Sequence, residues 1–220
     1  MRLCALILCG LCLLGSARAD PVRALTFVEA LSQTPDRGKT ILNRYASAEH
    51  STAQGVWVLQ ETARPEKFVL LEMAERPEDL APTGTKLADS LEGLLAAPLD
   101  HRTHREFGDT APEHEAPTGR VIYVIAHLDI APPERTKGEA ALLRLASEAR
   151  RSSGNLFFEV WQQTDRTNHF DLIAVWTRRA KFNDFTSGPA AREFRKSVAS
   201  MLGSPYDERL YQRTDESSTR

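Results

Sequence analysis

Two halves of this chain repeat one plan, and that repeat constrains the fold more than any other feature of the sequence. Val22 to Val28 reads as a strand, and Val121 to Leu128 reads as the same strand 99 positions on. Each is followed by proline (Pro35; Pro132 and Pro133) and then by apolar residues at helical spacing. These are Ile41, Leu42, Tyr45 and Ala46 in the first half, and Ala141, Leu142, Leu145, Ala146 and Ala149 in the second. Gly55 and Gly154, also 99 positions apart, stop the two helices, because glycine takes the left-handed conformation without a Cβ clash. Strands follow at Val56 to Leu59 and Leu156 to Trp161, then at Phe68 to Met73 and His169 to Trp176. A helical region comes next, carrying Leu87, Leu91, Leu94 and Leu95 in one half and Phe194, Val198 and Leu202 in the other. Short strands near His104 to Phe107 and Glu208 to Gln212 close the halves.

The order β-α-β-β-α-β predicts an α+β chain of two ferredoxin-like βαββαβ repeats, each a four-stranded sheet with two helices on one face. The other face needs cover. Tyr123, Ile125, Phe157 and Trp161 would lie on it, which is too apolar for a wet surface. The sister repeat offers a matching sheet, so the two should pack sheet-to-sheet as a pseudo-dimer within one chain.

Arg2, the apolar run Leu3 to Leu14 and Ala17-Arg18-Ala19 have the pattern of a signal peptide cleaved after Ala19. The expected division is residues 1–19 signal, 20–107 first repeat, 108–118 linker, 119–213 second repeat and 214–220 tail. A periplasmic or secreted location follows as an expectation. All three cysteines (Cys4, Cys9, Cys12) fall in the signal, so neither disulfides nor thiolate chemistry is expected of the remainder. The 28 basic and 30 acidic residues are interspersed, which argues against a nucleic-acid partner. No second long apolar run exists, so no membrane partner is expected after cleavage. No G-x-S-x-G, H-E-x-x-H or Walker loop is present, which removes the common hydrolase and NTPase readings.

Four stretches carry a family resemblance. They are Ala126 to Pro132, Arg150 to Leu156, His169 to Trp176, and Leu202-Gly203-Ser204-Pro205-Tyr206-Asp207-Glu208-Arg209-Leu210-Tyr211. Over nearly all of Arg120 to Arg213 the chain resembles the antibiotic biosynthesis monooxygenase domain, including the quinol monooxygenases, in the dimeric α/β-barrel superfamily. The first repeat looks like a degenerate copy, with Ala74 where the second has Trp176. The resemblance implies an intrachain dimeric α/β barrel, with further homo-oligomerisation left open. It also implies oxidation of a small aromatic quinol or phenol by O2, with no bound cofactor and no metal. The alternatives are a protein that binds a small hydrophobic ligand without turnover, and a structural or interaction module of the same fold.

Strand alternation sorts the candidates. Ala126, Phe158 and Trp176 share the helix-facing side with the helical residues Phe182, Phe185, Phe194 and Arg195, which together would form the substrate site. Trp176 would clamp an aromatic ring, and Arg195 could hold an anionic group. Many family members carry a histidine where this chain has Phe185, so His127 and His169 stand as the candidate bases. The opposite sheet face would gather His127, Glu159, His169 and Asp171 as a polar cluster between repeats. A hydrogen-bonded network is favoured there over a metal site, because buried polar groups need partners whether or not they do chemistry. Asp207, Glu208 and Arg209 are read as ion pairs tying down the last strand.

Overall fold

A computed structural model describes residues 22–49, 55–76, 80, 83–108 and 121–215 of the chain. The expected signal segment, the expected linker from residue 109 and the expected tail from residue 216 lie outside the described residues. The first repeat runs β1 (Val22–Glu29), α1 (Pro35–Glu49), β2 (Gly55–Glu61), β3 (Lys67–Ala74), α2 (Thr83–Ser90) and β4 (Asp100–Glu106). The second runs β5 (Ile122–Asp129), α3 (Arg135–Arg150), β6 (Asn155–Gln163), β7 (His169–Trp176), α4 (Arg179–Thr186), α5 (Pro189–Val198) and β8 (Asp207–Arg213). Pro132–Glu134 forms a 3-10 turn ahead of α3, where the fixed φ of proline suits a helix start.

The eight strands close into one barrel in the order β1-β3-β2-β8-β5-β7-β6-β4. Within it, β4-β1-β3-β2 and β8-β5-β7-β6 are the two ferredoxin-like sheets. The last strand of each repeat completes the other's edge: β8 pairs with β2, and β4 with β6. Closure pairs each of the described strands on both sides, which removes the free edges of an open sheet. The unshielded sheet faces therefore meet each other. Leu25, Leu59, Val69, Leu71, Tyr123, Ile125, Trp161, Ile173, Val175 and Tyr211 fill the barrel, with Phe157 packed against them. The helices lie outside, α1 over one sheet and α3 with α5 over the other.

Three details differ from the sequence reading. Repeat equivalence runs at an offset of 100 through β1 and β5, and through β2 and β6, because Gly55 begins β2 while Gly154 lies in the turn before β6. Gly154 has φ +87°, and a Cβ there would lie 2.6 Å from Lys181 Cγ. The true pair of glycines is Gly38 and Gly138, where α1 and α3 approach the sheet. A Cβ on Gly138 would lie 2.4 Å from Ile130 Cδ1. The helical region after β7 is broken in two at Ser187 and Gly188. Finally, β4 starts at Asp100, four residues before His104, because its charged residues hide a strand that pairs on both edges.

Candidate functional site

Each face of the second-repeat sheet carries its own constellation. On the outer face, β5, β6 and β7 present Val124, Ala126, Phe158, Leu172, Ala174 and Trp176 to the helices. Phe182 and Phe185 of α4, Phe194 and Arg195 of α5, and Tyr206 and Glu208 complete a pocket. The free volume is about 20 Å³, room for a single water. Phe185 fills the rest: its ring lies 5.2 Å from Trp176 at 31°, while Phe182 meets Trp176 edge-on at 6.2 Å. Trp176 is 1 % exposed, and its indole Nε1 has no hydrogen-bond partner among the described residues. A buried N–H without a partner is costly, and a ligand acceptor would satisfy it.

The polar end of this pocket is formed by Tyr206, Glu208 and Arg195. The Tyr206 hydroxyl donates to Glu208 Oε2 at 2.7 Å, and Tyr206 packs edge-on against Phe194 at 6.3 Å. Desolvation and the Glu208 charge push the Tyr206 hydroxyl well above its ordinary value. Desolvation also raises the Glu208 carboxyl, against the opposing pull of the Tyr206 hydrogen bond and of Arg195. Arg195 donates to the Thr186 carbonyl at 2.6 Å, tying α5 to the end of α4. Alternation along β8 sends Asp207 and Arg209 into the barrel and Glu208 out of it. Asp207 and Arg209 pair at 2.6 Å within β8, and Arg209 lies 3.5 Å from Glu61 of β2, so the expected tie to a neighbouring strand runs through Arg209 and not through Glu208.

The inner face holds His127, His169 and Asp171, so the sheet separates both histidines from Trp176. As bases for a ring clamped on Trp176 they are on the wrong side, because residues adjacent in a strand project to opposite faces. Asp171 is fully buried and accepts from His104 Nε2 at 2.8 Å; its other oxygen lies 3.1 Å from His127 Nδ1. His127 Nε2 lies 3.4 Å from His169 Nδ1, and His169 Nε2 lies 3.5 Å from Asp129. Although desolvation works to raise it, the hydrogen bonds and charges of His104 and His127 hold the Asp171 carboxyl far below the usual carboxylate range.

Glu159 does not join this group. It accepts from Trp161 Nε1 at 2.6 Å and from Arg23 Nε at 3.2 Å, and Arg23 reaches Glu106 at 2.7 Å. The expected four-residue cluster is therefore two networks, and each is completed by the first repeat: His104 in one, Arg23 and Glu106 in the other. The sequence signal for these residues was the alternation of Arg102, His104 and Glu106 along β4. Among the described residues no group of three or more histidine, aspartate, glutamate or cysteine side chains is arranged to hold a metal ion. At one mouth of the barrel, Phe27, Arg102, His127, Arg209 and Tyr211 line a further cavity of about 220 Å³ with Asp100 and Asp207.

The histidines make stability depend on pH. Burial, with His127 adding to it, lowers His169, and burial, with His104 adding to it, lowers His101. The unfolded chain then takes up these protons first, near the ordinary value of about 6.5, and stability falls as pH drops through that value. The melting temperature is expected to be lower at pH 5.5 than at 7.5. His169→Asn, which cannot titrate, should shrink the difference; an unchanged difference would contradict the assignment.

Sequence and structure comparisons agree with this architecture. No curated protein matches the chain. The model of the antibiotic biosynthesis monooxygenase family matches residues 121–197. A candidate monooxygenase from Fusobacterium nucleatum superposes over 89% of this chain and 93% of its own, at TM-score 0.72 and 12% identity. An anthrone oxidase-like protein does so over 88% and 91%, at 0.68 and 11%. A candidate monooxygenase from Lactobacillus acidophilus does so over 88% and 94%, at 0.64 and 9%. At such identities these likenesses establish the shared fold. Residues 121–197 thus match the antibiotic biosynthesis monooxygenase domain, within a chain whose two repeats close into an intrachain dimeric α/β barrel.

Proposed function

We propose that this chain is an exported monooxygenase that oxidises a small aromatic quinol or phenol with O2 in the outer pocket of its second repeat. The observation that carries the reading is the convergence of Phe158, Phe182, Phe185 and Phe194 on Trp176, whose buried indole N–H awaits an acceptor. Such a lining suits a flat aromatic ring, with one donor to orient its oxygen. The electron balance closes without a further reductant. Hydroquinone plus O2 gives hydroxyquinone plus water: one oxygen atom enters the ring, the other leaves as water, and the substrate supplies every electron. The first repeat has Ala74 at the end of β3 and is read as a structural partner rather than a second site.

Oxygen uptake with a panel of hydroquinones tests the proposal. Trp176→Phe keeps a ring and removes the N–H, and should lower turnover by about 2- to 10-fold, the range for one neutral hydrogen bond. Unchanged turnover in the folded variant would remove Trp176 from the site. A second reading, ligand binding without turnover, is favoured by the small free volume and by Phe185 lying where a substrate ring would stack. Saturable binding of a hydroquinone with no oxygen uptake by any member of the panel would select it.

A further inference from the structure

We infer that Glu208 is the proton acceptor of the outer pocket, hydrogen-bonded to Tyr206, and that the pocket therefore selects ligands bearing an acidic phenol hydroxyl over ethers or hydrocarbons of the same shape. This inference rests on reading the pocket as an aromatic site. Among the residues lining it, only Arg195, Tyr206 and Glu208 titrate. Arg195 offers donors and no acceptor, and Tyr206 is held as a neutral donor. His127 and His169, the other candidate bases, lie across the sheet.

Glu208 reaches the pocket because it pairs with Ala126 across β5 and β8, and Ala126 is part of the pocket wall. Tyr206 engages Oε2, and Oε1 accepts no hydrogen bond among the described residues. Glu208 is also exposed, so a proton it takes up can pass to solvent. The step is simple: the ligand O–H bond breaks, an Oε1–H bond forms, and the electron pair stays on the phenolate oxygen. The phenolate is the stronger reductant toward O2. Release of the proton to water restores the carboxylate. The groups facing Glu208 are Tyr206, which lowers its carboxyl through the hydrogen bond, and Arg195, which lowers it through charge; desolvation opposes both. A carboxylate raised in this way is a better match to a weakly acidic phenol than an ordinary one.

Binding of 4-nitrophenol and of its methyl ether, 4-nitroanisole, to the folded protein separates this role from simple packing. The wild type should bind the phenol about 10-fold more tightly, as expected for a hydrogen bond to a charged acceptor. Glu208→Ala should reduce the ratio to near one while leaving ether binding unchanged, and its melting temperature should stay close to wild type because Glu208 is exposed. Tyr206→Phe should move the acid limb of phenol binding to higher pH. A phenol preference that survives in Glu208→Ala overturns the inference. Oxygen uptake on the same proteins keeps the two claims apart. A Glu208-dependent preference without uptake sinks the monooxygenase reading alone. Uptake that persists in Glu208→Ala sinks the role of Glu208 alone. If both hold, Glu208→Gln should lose about 10²- to 10⁴-fold in rate.

Discussion

Asp171→Ala is expected to destabilise the fold by about 3–5 kcal/mol, the cost of breaking a buried pair from one side. For a chain of this size that corresponds to a melting temperature lower by on the order of 10 °C. Asp171 and His104 are both fully buried. Removing the carboxylate leaves the His104 and His127 ring nitrogens facing a hole with no acceptor. The loss should concentrate between repeats, because His104 belongs to β4 and Asp171 to β7, on either side of β6. Amide exchange along the β4·β6 pairing, which includes His104, Arg105 and Glu106, should rise more than exchange within β1·β3. Asp171→Asn keeps one acceptor and should cost less. A drop of only a degree or two in Asp171→Ala would mean that this network contributes nothing to joining the repeats.

Phe185→Ala is expected to convert a closed pocket into an open one. The Phe185 ring stacks on Trp176 and, with its neighbours, leaves about 20 Å³ free. A dry cavity of about 150 Å³ lined by apolar side chains is known to accept benzene. Removing one ring moves this pocket toward that size while keeping Phe158, Phe182, Phe194 and Trp176 as walls. Affinity for hydroquinone, followed by quenching of tryptophan fluorescence, should rise about 10-fold, since the ligand need no longer displace a stacked ring worth roughly 0.5–1.5 kcal/mol beyond its area. The stability cost should be about 2–3 kcal/mol, below the range for a fully buried phenylalanine, because Phe185 is only half-buried. Unchanged affinity in a folded Phe185→Ala would show that this ring does not occupy the ligand's place.

The two faces of the second sheet were legible because alternation is a property of adjacent residues. Phe158 and Trp176 declare the outer face, and Trp161 and Asp171 the inner one, with no knowledge of the rest of the chain. The start of β4 was not legible. Asp100, His101 and Arg102 have loop composition, and they form a strand only because β1 supplies partners along one side, with β6 joining from His104 onward. Glu208 was misassigned to surface ion pairs for a related reason. One residue separates it from the Asp207–Arg209 pair in register, and that single step sends it to the opposite face and to Tyr206.

By itself the sequence determined the repeat, the order of elements and the apolar faces, since each depends on periodicities of two to four residues. The tertiary structure alone decided which side chains meet across the barrel. His104 finds Asp171 and Arg23 finds Glu159 through contacts distant in sequence. Their geometry is set by how the two sheets close on each other, and local periodicity carries no record of that closure.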